Sequence, residues 1–244
     1  WGDPGGCYLL MVYSGWEFES LSKASNYYRW ISSEFRKYFE YSNFTKWNAL
    51  EYGCGSGNFA KFVGPWIDDF YLFEPNENSG RIVWTGAFRD IQANSIQLVP
   101  KRSVDGAFCV NVLEHVENQE ASLIEMHSCL KDNGFLFLFV PAHQGLYGSL
   151  DEVFGHHRRY DRKELRKLVT SCRFRVIKAK YFNMFGAILW FVAGRILKKR
   201  SWSVGGVSVY DKFVIPFLRI VEPRNPPFGQ SLLLVAKKST SPLR

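Results

Sequence analysis

Several common features are missing from this chain of 244 residues. Its five cysteines, Cys7, Cys54, Cys109, Cys129 and Cys172, are odd in number, and no two stand in C-x-x-C spacing. That argues against a disulfide framework or a common zinc motif, and predicts reduced, buried thiols in a cytoplasmic protein. No His, Asp and Glu spacing suggests a metal site, so none is expected. There is no signal peptide, no internal repeat and no low-complexity tract. The longest suspicious apolar stretch, 184–194, ends at Arg195, well short of the roughly 20 residues that cross a bilayer. Acids are scarce beside bases, 23 against 31, for a net charge of +8. Such a surface is either simply basic and soluble or suited to an anionic partner: a phosphate-bearing substrate, nucleic acid or a membrane.

Aromatics, by contrast, are plentiful: 21 Phe, 12 Tyr and 8 Trp. They predict a bulky core and an apolar ligand pocket. The opening WGDPGG is set aside with residues 1–15 as a tail. Residues 16–244 read as one domain, an ordinary size for a single α/β core.

Residues 16–46 show helical periodicity through Tyr27, Tyr28, Trp30, Ile31, Phe35, Tyr38 and Phe39. Strands are expected at 47–52, 69–74, 81–85, 105–111, 135–140, 174–181 and 231–236. Helices are expected at 57–63, stopped by Gly64-Pro65, and at 119–130, closed by Asp132-Asn133-Gly134. Asp161 and Glu164 resemble a capping box for a further helix ending at Thr170. Strands alternating with helices imply a doubly wound, mostly parallel sheet. Residues 141–160 and 183–228 interrupt the alternation as a loop and an apolar, basic insertion.

The first strand runs into EYGCGSGNFA, residues 51–60. Read from Gly55 it is G-x-G-x-x-A, a form of the dinucleotide fingerprint; read from Glu51 it is E-x-G-x-G-x-G. Glycines in both readings allow a tight turn and close backbone approach to a ligand. The ligands differ in charge. A pyrophosphate wants bare amides at a helix N-terminus, and a carboxylate at Glu51 repels it. S-adenosylmethionine (SAM) carries a sulfonium and an ammonium, which suit that carboxylate. Glu74, ending the second strand, can hold two ribose hydroxyls in either reading. Asn111-Val-Leu-Glu-His-Val116 follows the fourth strand, at the carboxyl edge where such sheets bind ligands.

Together, E-x-G-x-G-x-G, Glu74 and NVLEHV resemble the class I SAM-dependent methyltransferases, over residues 20–180 and the last strand. NYYRWI (26–31), PAHQGLYGSLDEVFGHHRRYDRKEL (141–165) and PPFGQSLLLVAKK (226–238) are similar to a bacterial subfamily of small-molecule methyltransferases. Many of its members lie near glycosyltransferases or surface-polysaccharide enzymes. The resemblance implies a seven-stranded Rossmann-like sheet whose last strand enters antiparallel between the fifth and sixth. It implies that Glu51, Gly53, Cys54, Gly55 and Gly57 surround the methionine part of SAM, and that Glu74 holds the ribose. Pro75 and the 87–91 loop would bracket the adenine. Ala87 stands where many members carry an acid, so Asp90 is the first acid available there. Asn111 would line the methyl-donor channel.

On the acceptor side, a hydroxyl acceptor needs a base. The candidates are His143, His156 and His157; His115 reads as a supporting residue and His127 as packing. Arg158, Arg159 and Tyr160 either bind an anionic acceptor, which Arg clamps in bidentate fashion, or pair with Asp151, Glu152 or Asp161 as support. NPPF (225–228) matches an amine-methylation signature but stands before the last strand instead of after the fourth, so it reads as a turn. The insertion is either a cap over the site or, through 184–200, a peripheral membrane contact with Lys198, Lys199 and Arg200 near headgroups.

The expectation is therefore methyl transfer to a small-molecule or lipid- or sugar-linked acceptor, at oxygen, with no nucleic acid as partner. The alternatives are an RNA methyltransferase, a nicotinamide-dependent oxidoreductase and a non-catalytic SAM-binding module.

Overall fold

The computed structural model describes residues 24–39, 46–75, 89–201 and 203–239. One sheet contains β1 (Trp47–Tyr52), β2 (Ile67–Phe73), β3 (Arg89–Ala93), β4 (Val104–Val110), β5 (Leu130–Pro141), β6 (Phe174–Phe182) and β7 (Ser231–Lys238). Its order is β3-β2-β1-β4-β5-β7-β6. The first five strands are mutually parallel. The last strand, β7, runs antiparallel to β5 and β6 between them. The Rossmann-like methyltransferase sheet expected from the resemblance is thus the fold observed.

β4 and β5 are apolar on both faces because both faces are covered. Phe108, Phe137 and Phe139 pack with Phe35 and Phe39 of α1 (Ser25–Phe39) in one core. Ala107, Cys109, Leu136 and Leu138 enter the other core, with Leu123 and Met126 of α3 (Gln119–Cys129) and Leu165 and Val169 of α5 (Arg162–Ser171). The first layer is aromatic: Phe108 stacks on Phe137 at 4.9 Å, and Phe39 lies 4.0 Å from Trp47. Such ring pairs add to simple area burial. Cys54, Cys109, Cys129 and Cys172 are free and buried, as expected.

Several boundaries differ. The expected strand at 81–85 lies outside the described residues, as do parts of the 16–46 helix; the strand beside β2 is Arg89–Ala93. After Gly57 only Ala60–Val63 forms α2, followed by a 3-10 turn from Gly64 to Trp66. Asp132-Asn133-Gly134 does not close a helix but lies inside β5, where the ladder slips: Leu130 pairs with Val104, then Phe135 with Gly106. Asp161 precedes α5 without a side-chain cap bond.

Within the loop at 141–160, Ser149–Val153 forms α4. The insertion contains α6 (Met184–Phe191), α7 (Val204–Val209) and α8 (Ile215–Val221), with π-helical turns at Val192–Ile196 and Tyr210–Val214. Its two acids cap helices elsewhere. Asp211 accepts from the amides of Asn26 (2.9 Å) and Tyr27 (2.8 Å) at the start of α1. Glu222 accepts from the amides of Asn183 (2.9 Å) and Met184 (2.8 Å) at the start of α6. Each satisfies orphan donors and meets the positive end of a helix.

Candidate functional site

The glycine loop leaves the carboxyl end of β1. The Gly53 and Cys54 amides both donate to the Phe73 carbonyl, at 2.8 and 3.0 Å, which folds the loop over the end of β2. Gly53, Gly55 and Gly57 all have positive φ. At Gly53 a Cβ would also stand 2.6 Å from the Val112 side chain, so both conformation and space demand glycine.

Two carboxylates face this turn. Glu74 accepts from the Gly55 amide at 2.8 Å. Glu51 is 3 % exposed, and its Oε2 has no hydrogen-bond partner. Burial, and then the nearby Glu74 charge, push its carboxyl well above the usual range. A buried acid beside a second acid is costly unless a cation or donor arrives. The loop therefore fits a cationic ligand and rejects a pyrophosphate. One loop amide is taken by a carboxylate, and the four-residue α2 supplies little helix dipole. This carboxylate pair fits the sulfonium and ammonium of SAM.

Asn111 sits just past β4 with φ of 53° and donates its amide to the Phe139 carbonyl at 2.8 Å, at the carboxyl edge beside Gly53 and its neighbour Val112. Pro75 follows Glu74 at the end of β2 and is half-buried. Asp90 is displaced from the expected loop: it is the second residue of β3 and pairs with Phe70, at the amino end of the sheet. A parallel strand carries only its last residues to the ligand edge, and those are Ala93 and the following Asn94 and Ser95. Register, which motif spacing does not reveal, hid them.

The acceptor side is built around Asp151, which is fully buried. It accepts from Arg159 Nε (2.7 Å), Trp190 Nε1 (3.0 Å) and the Gly148 amide (3.0 Å), and it pairs with His156 Nδ1 (2.7 Å). These partners hold its carboxyl below its ordinary value against burial, which acts the other way. Arg159, 3 % exposed, also donates to the Ala142 carbonyl at 2.9 Å and lies over the Trp190 ring. Tyr160 donates to the Leu113 carbonyl at 2.9 Å. Arg159, Tyr160 and His156 are therefore committed inward, as supports of the loop and not as acceptor contacts. Arg158 is half-buried and His157 exposed; the His157 amide donates to the Glu114 carbonyl.

Glu114 departs from this pattern. It is fully buried, and neither carboxyl oxygen has a hydrogen-bond partner. Burial lifts its pKa to about 8. His156 Nε2 stands 4.0 Å away, beyond hydrogen-bond reach. His115 pairs through Nδ1 with the Gly155 carbonyl at 3.1 Å, and burial depresses it to about 3. Ligand-type atoms of Glu114, His115 and His156 lie within 4.8 Å of one another, a grouping that chain spacing concealed. A cation could enter only by displacing the proton Glu114 holds.

His143 follows β5 with φ of 61° and is partly exposed. Its Nδ1 is 3.5 Å from Asp161 Oδ1, its ring stacks on Tyr181 at 4.4 Å, and its Nε2 has no partner. Burial lowers its pKa, with Asp161 opposing, so the ring is neutral at neutral pH. Asp161 and Tyr181 also line an open cleft of about 540 Å³ with Arg162, Lys163 and Pro226. NPPF lies outside the regular elements before β7, where it was read as a turn, and contributes to this wall.

Comparison with known proteins follows the same line. A family described as a methyltransferase domain matches residues 23–179. No curated protein matches the chain. Among solved structures, an assigned methyltransferase of Bacillus halodurans C-125 is 15% identical, with a TM-score of 0.58 over 85% of this chain and 100% of that one. A SAM-dependent methyltransferase of Archaeoglobus fulgidus is 21% identical, with a TM-score of 0.54 over 85% of this chain and 93% of that one. The [4+2]-cyclase SpnF is 14% identical, with a TM-score of 0.52 over 80% and 76%. At these identities the likenesses speak for the fold alone, and the cyclase illustrates that this fold hosts more than one reaction.

Proposed function

The chain belongs to the methyltransferase-domain family, and from that premise we propose that it methylates an oxygen of a small-molecule or lipid- or sugar-linked acceptor. The observation that carries the choice of oxygen is the His143–Asp161 pair at the carboxyl end of β5. A carboxylate beside Nδ1 orients the imidazole with Nε2 as the accepting nitrogen. A neutral ring with an unpartnered Nε2 suits removal of a hydroxyl proton.

Bound at the glycine loop, SAM supplies an electrophilic methyl group on a good leaving group. Glu51 and Glu74 hold its charges and hydroxyls, Asn111 borders the methyl channel, and the loop at 141–160 walls the acceptor side. Alignment of the partners is the main contribution of the protein. In the cleft, Arg162 and Lys163 would favour an acceptor bearing phosphate or carboxylate.

The test is methyl transfer from labelled SAM to nucleotide sugars and polyprenyl-linked sugars, with mass analysis of the product. His143→Ala should lower kcat about 10²- to 10⁴-fold while S-adenosylhomocysteine binding stays unchanged. In the wild type kcat should fall as pH drops through the depressed pKa of His143, and this limb should vanish in the variant. Undiminished kcat in His143→Ala, or a methylated nitrogen in the product, would sink the oxygen reading.

A further inference from the structure

Exposed large apolar side chains are concentrated in one part of this molecule. Of the fifteen among the described residues, eleven lie between Phe185 and Val221. They form two stripes at helical spacing: Phe185, Ile188, Val192 and Ile196, then Val209, Phe213, Phe217 and Ile220. Three are more than 60% exposed on the second stripe alone: Phe213 at 65%, Phe217 at 61% and Ile220 at 83%. A helix in a soluble fold turns such a stripe inward; these helices turn it outward.

Charge on the insertion is sorted as well. Between 183 and 228 there are seven bases and two acids. Both acids, Asp211 and Glu222, are consumed at helix N-termini. The bases Arg195, Lys198, Lys199, Arg200, Lys212, Arg219 and Arg224 are all exposed. The outward face is therefore apolar with a purely basic fringe, the complement of an anionic headgroup layer. No helix among the described residues is long and apolar enough to cross a membrane. The arrangement is suited to lying on a bilayer.

We propose that the outer face of residues 184–221 docks on an anionic lipid surface and brings the acceptor loop to the headgroups. The linkage is direct. Ser149 Oγ donates to the Gly194 carbonyl at 3.0 Å and the Lys199 carbonyl at 2.6 Å, Arg195 donates to the Tyr147 carbonyl at 2.9 Å, and Trp190 donates to Asp151. The docking face and the loop at 141–160 thus move as one. The proposal builds on the lipid-linked acceptor reading above and narrows it to an acceptor held at an anionic membrane.

The test is co-sedimentation of the full chain with phosphatidylcholine–phosphatidylglycerol vesicles and with pure phosphatidylcholine, across a salt series. Binding should need the anionic lipid and weaken with salt. Replacing Lys198, Lys199 and Arg200 together by Ala should weaken it on the order of a hundredfold. Phe213→Ser with Phe217→Ser should weaken it at least about tenfold. Both variants should bind S-adenosylhomocysteine as the wild type does, which shows that they fold. No binding to anionic vesicles, or equal binding by the variants, would overturn the proposal. So would a dimer in light scattering that the Phe213/Phe217 pair dissolves without vesicle binding, because the face would then join two copies. If vesicle binding behaves as expected but S-adenosylhomocysteine does not bind, the methyl-transfer reading fails and the docking surface stands.

Discussion

The two rims of the site treat buried charge in opposite ways. At the glycine loop, Glu51 is buried beside another acid and one of its oxygens has no partner. At the acceptor loop, Asp151 is equally hidden but surrounded by partners on Arg159, His156, Trp190 and Gly148. A buried charge without partners destabilises the empty protein and is tolerable where a ligand completes it; one with every partner in place is a structural tie. The contrast separates the residues that bind from those that hold the binding loop. It also explains why the basic run GHHRRY contributes mainly architecture.

The strongest way to break this contrast is Glu51→Ala. Removing one partner of a buried charge-assisted contact costs about 2–5 kcal/mol, so S-adenosylhomocysteine affinity should fall about 30-fold or more. The ligand-free variant should melt no lower than the wild type, since a costly carboxylate has gone. Calorimetry and thermal unfolding together check both halves; a lower melting temperature with intact binding would reverse the assignment. In the wild type, ligand binding should release protons and tighten as pH rises, because Glu51 must ionise to meet the ammonium.

Asp151→Asn tests the opposite rim. It leaves the Arg159 guanidinium buried without its counter-charge, which should destabilise the fold by about 3–5 kcal/mol. Denaturant unfolding measures this, and cofactor affinity under native conditions should change little. Glu114→Gln is the subtler case. A carboxyl whose folded pKa is raised from 4.5 to about 8 stabilises the folded state fully below the unfolded pKa. That contribution is lost progressively as pH rises toward the folded pKa. Between these values stability should decline with pH in the wild type and more weakly in Glu114→Gln. Parallel curves would show that Glu114 is not the titrating group.

Much of this was legible in the chain because its causes are local. The apolar runs at β4 and β5 read as doubly covered strands, and they are. E-x-G-x-G-x-G marked the turn because three positions need positive φ and one of them also needs space. Elsewhere local reading failed for equally physical reasons. Asp161 looked like a helix cap, but its carboxylate lies near His143 instead. Asp90 looked like an adenine contact because spacing along the chain does not give strand register. His156 and Arg159 looked exposed in a polar run, and Asp151 and Trp190 draw them inward.

By itself, then, the amino-acid sequence determined the alternation of strands and helices, the glycine turn and the sign of charge its ligand must carry. All three follow from side-chain periodicity, backbone sterics and the position of one acid. The tertiary structure alone decided which charges remain unpaired, since Asp151 and Trp190 are 39 residues apart in the chain and meet only through folding. It also decided which face of the insertion looks outward. Both acids there turn in to cap helices elsewhere in the chain, and what remains outside is apolar and basic.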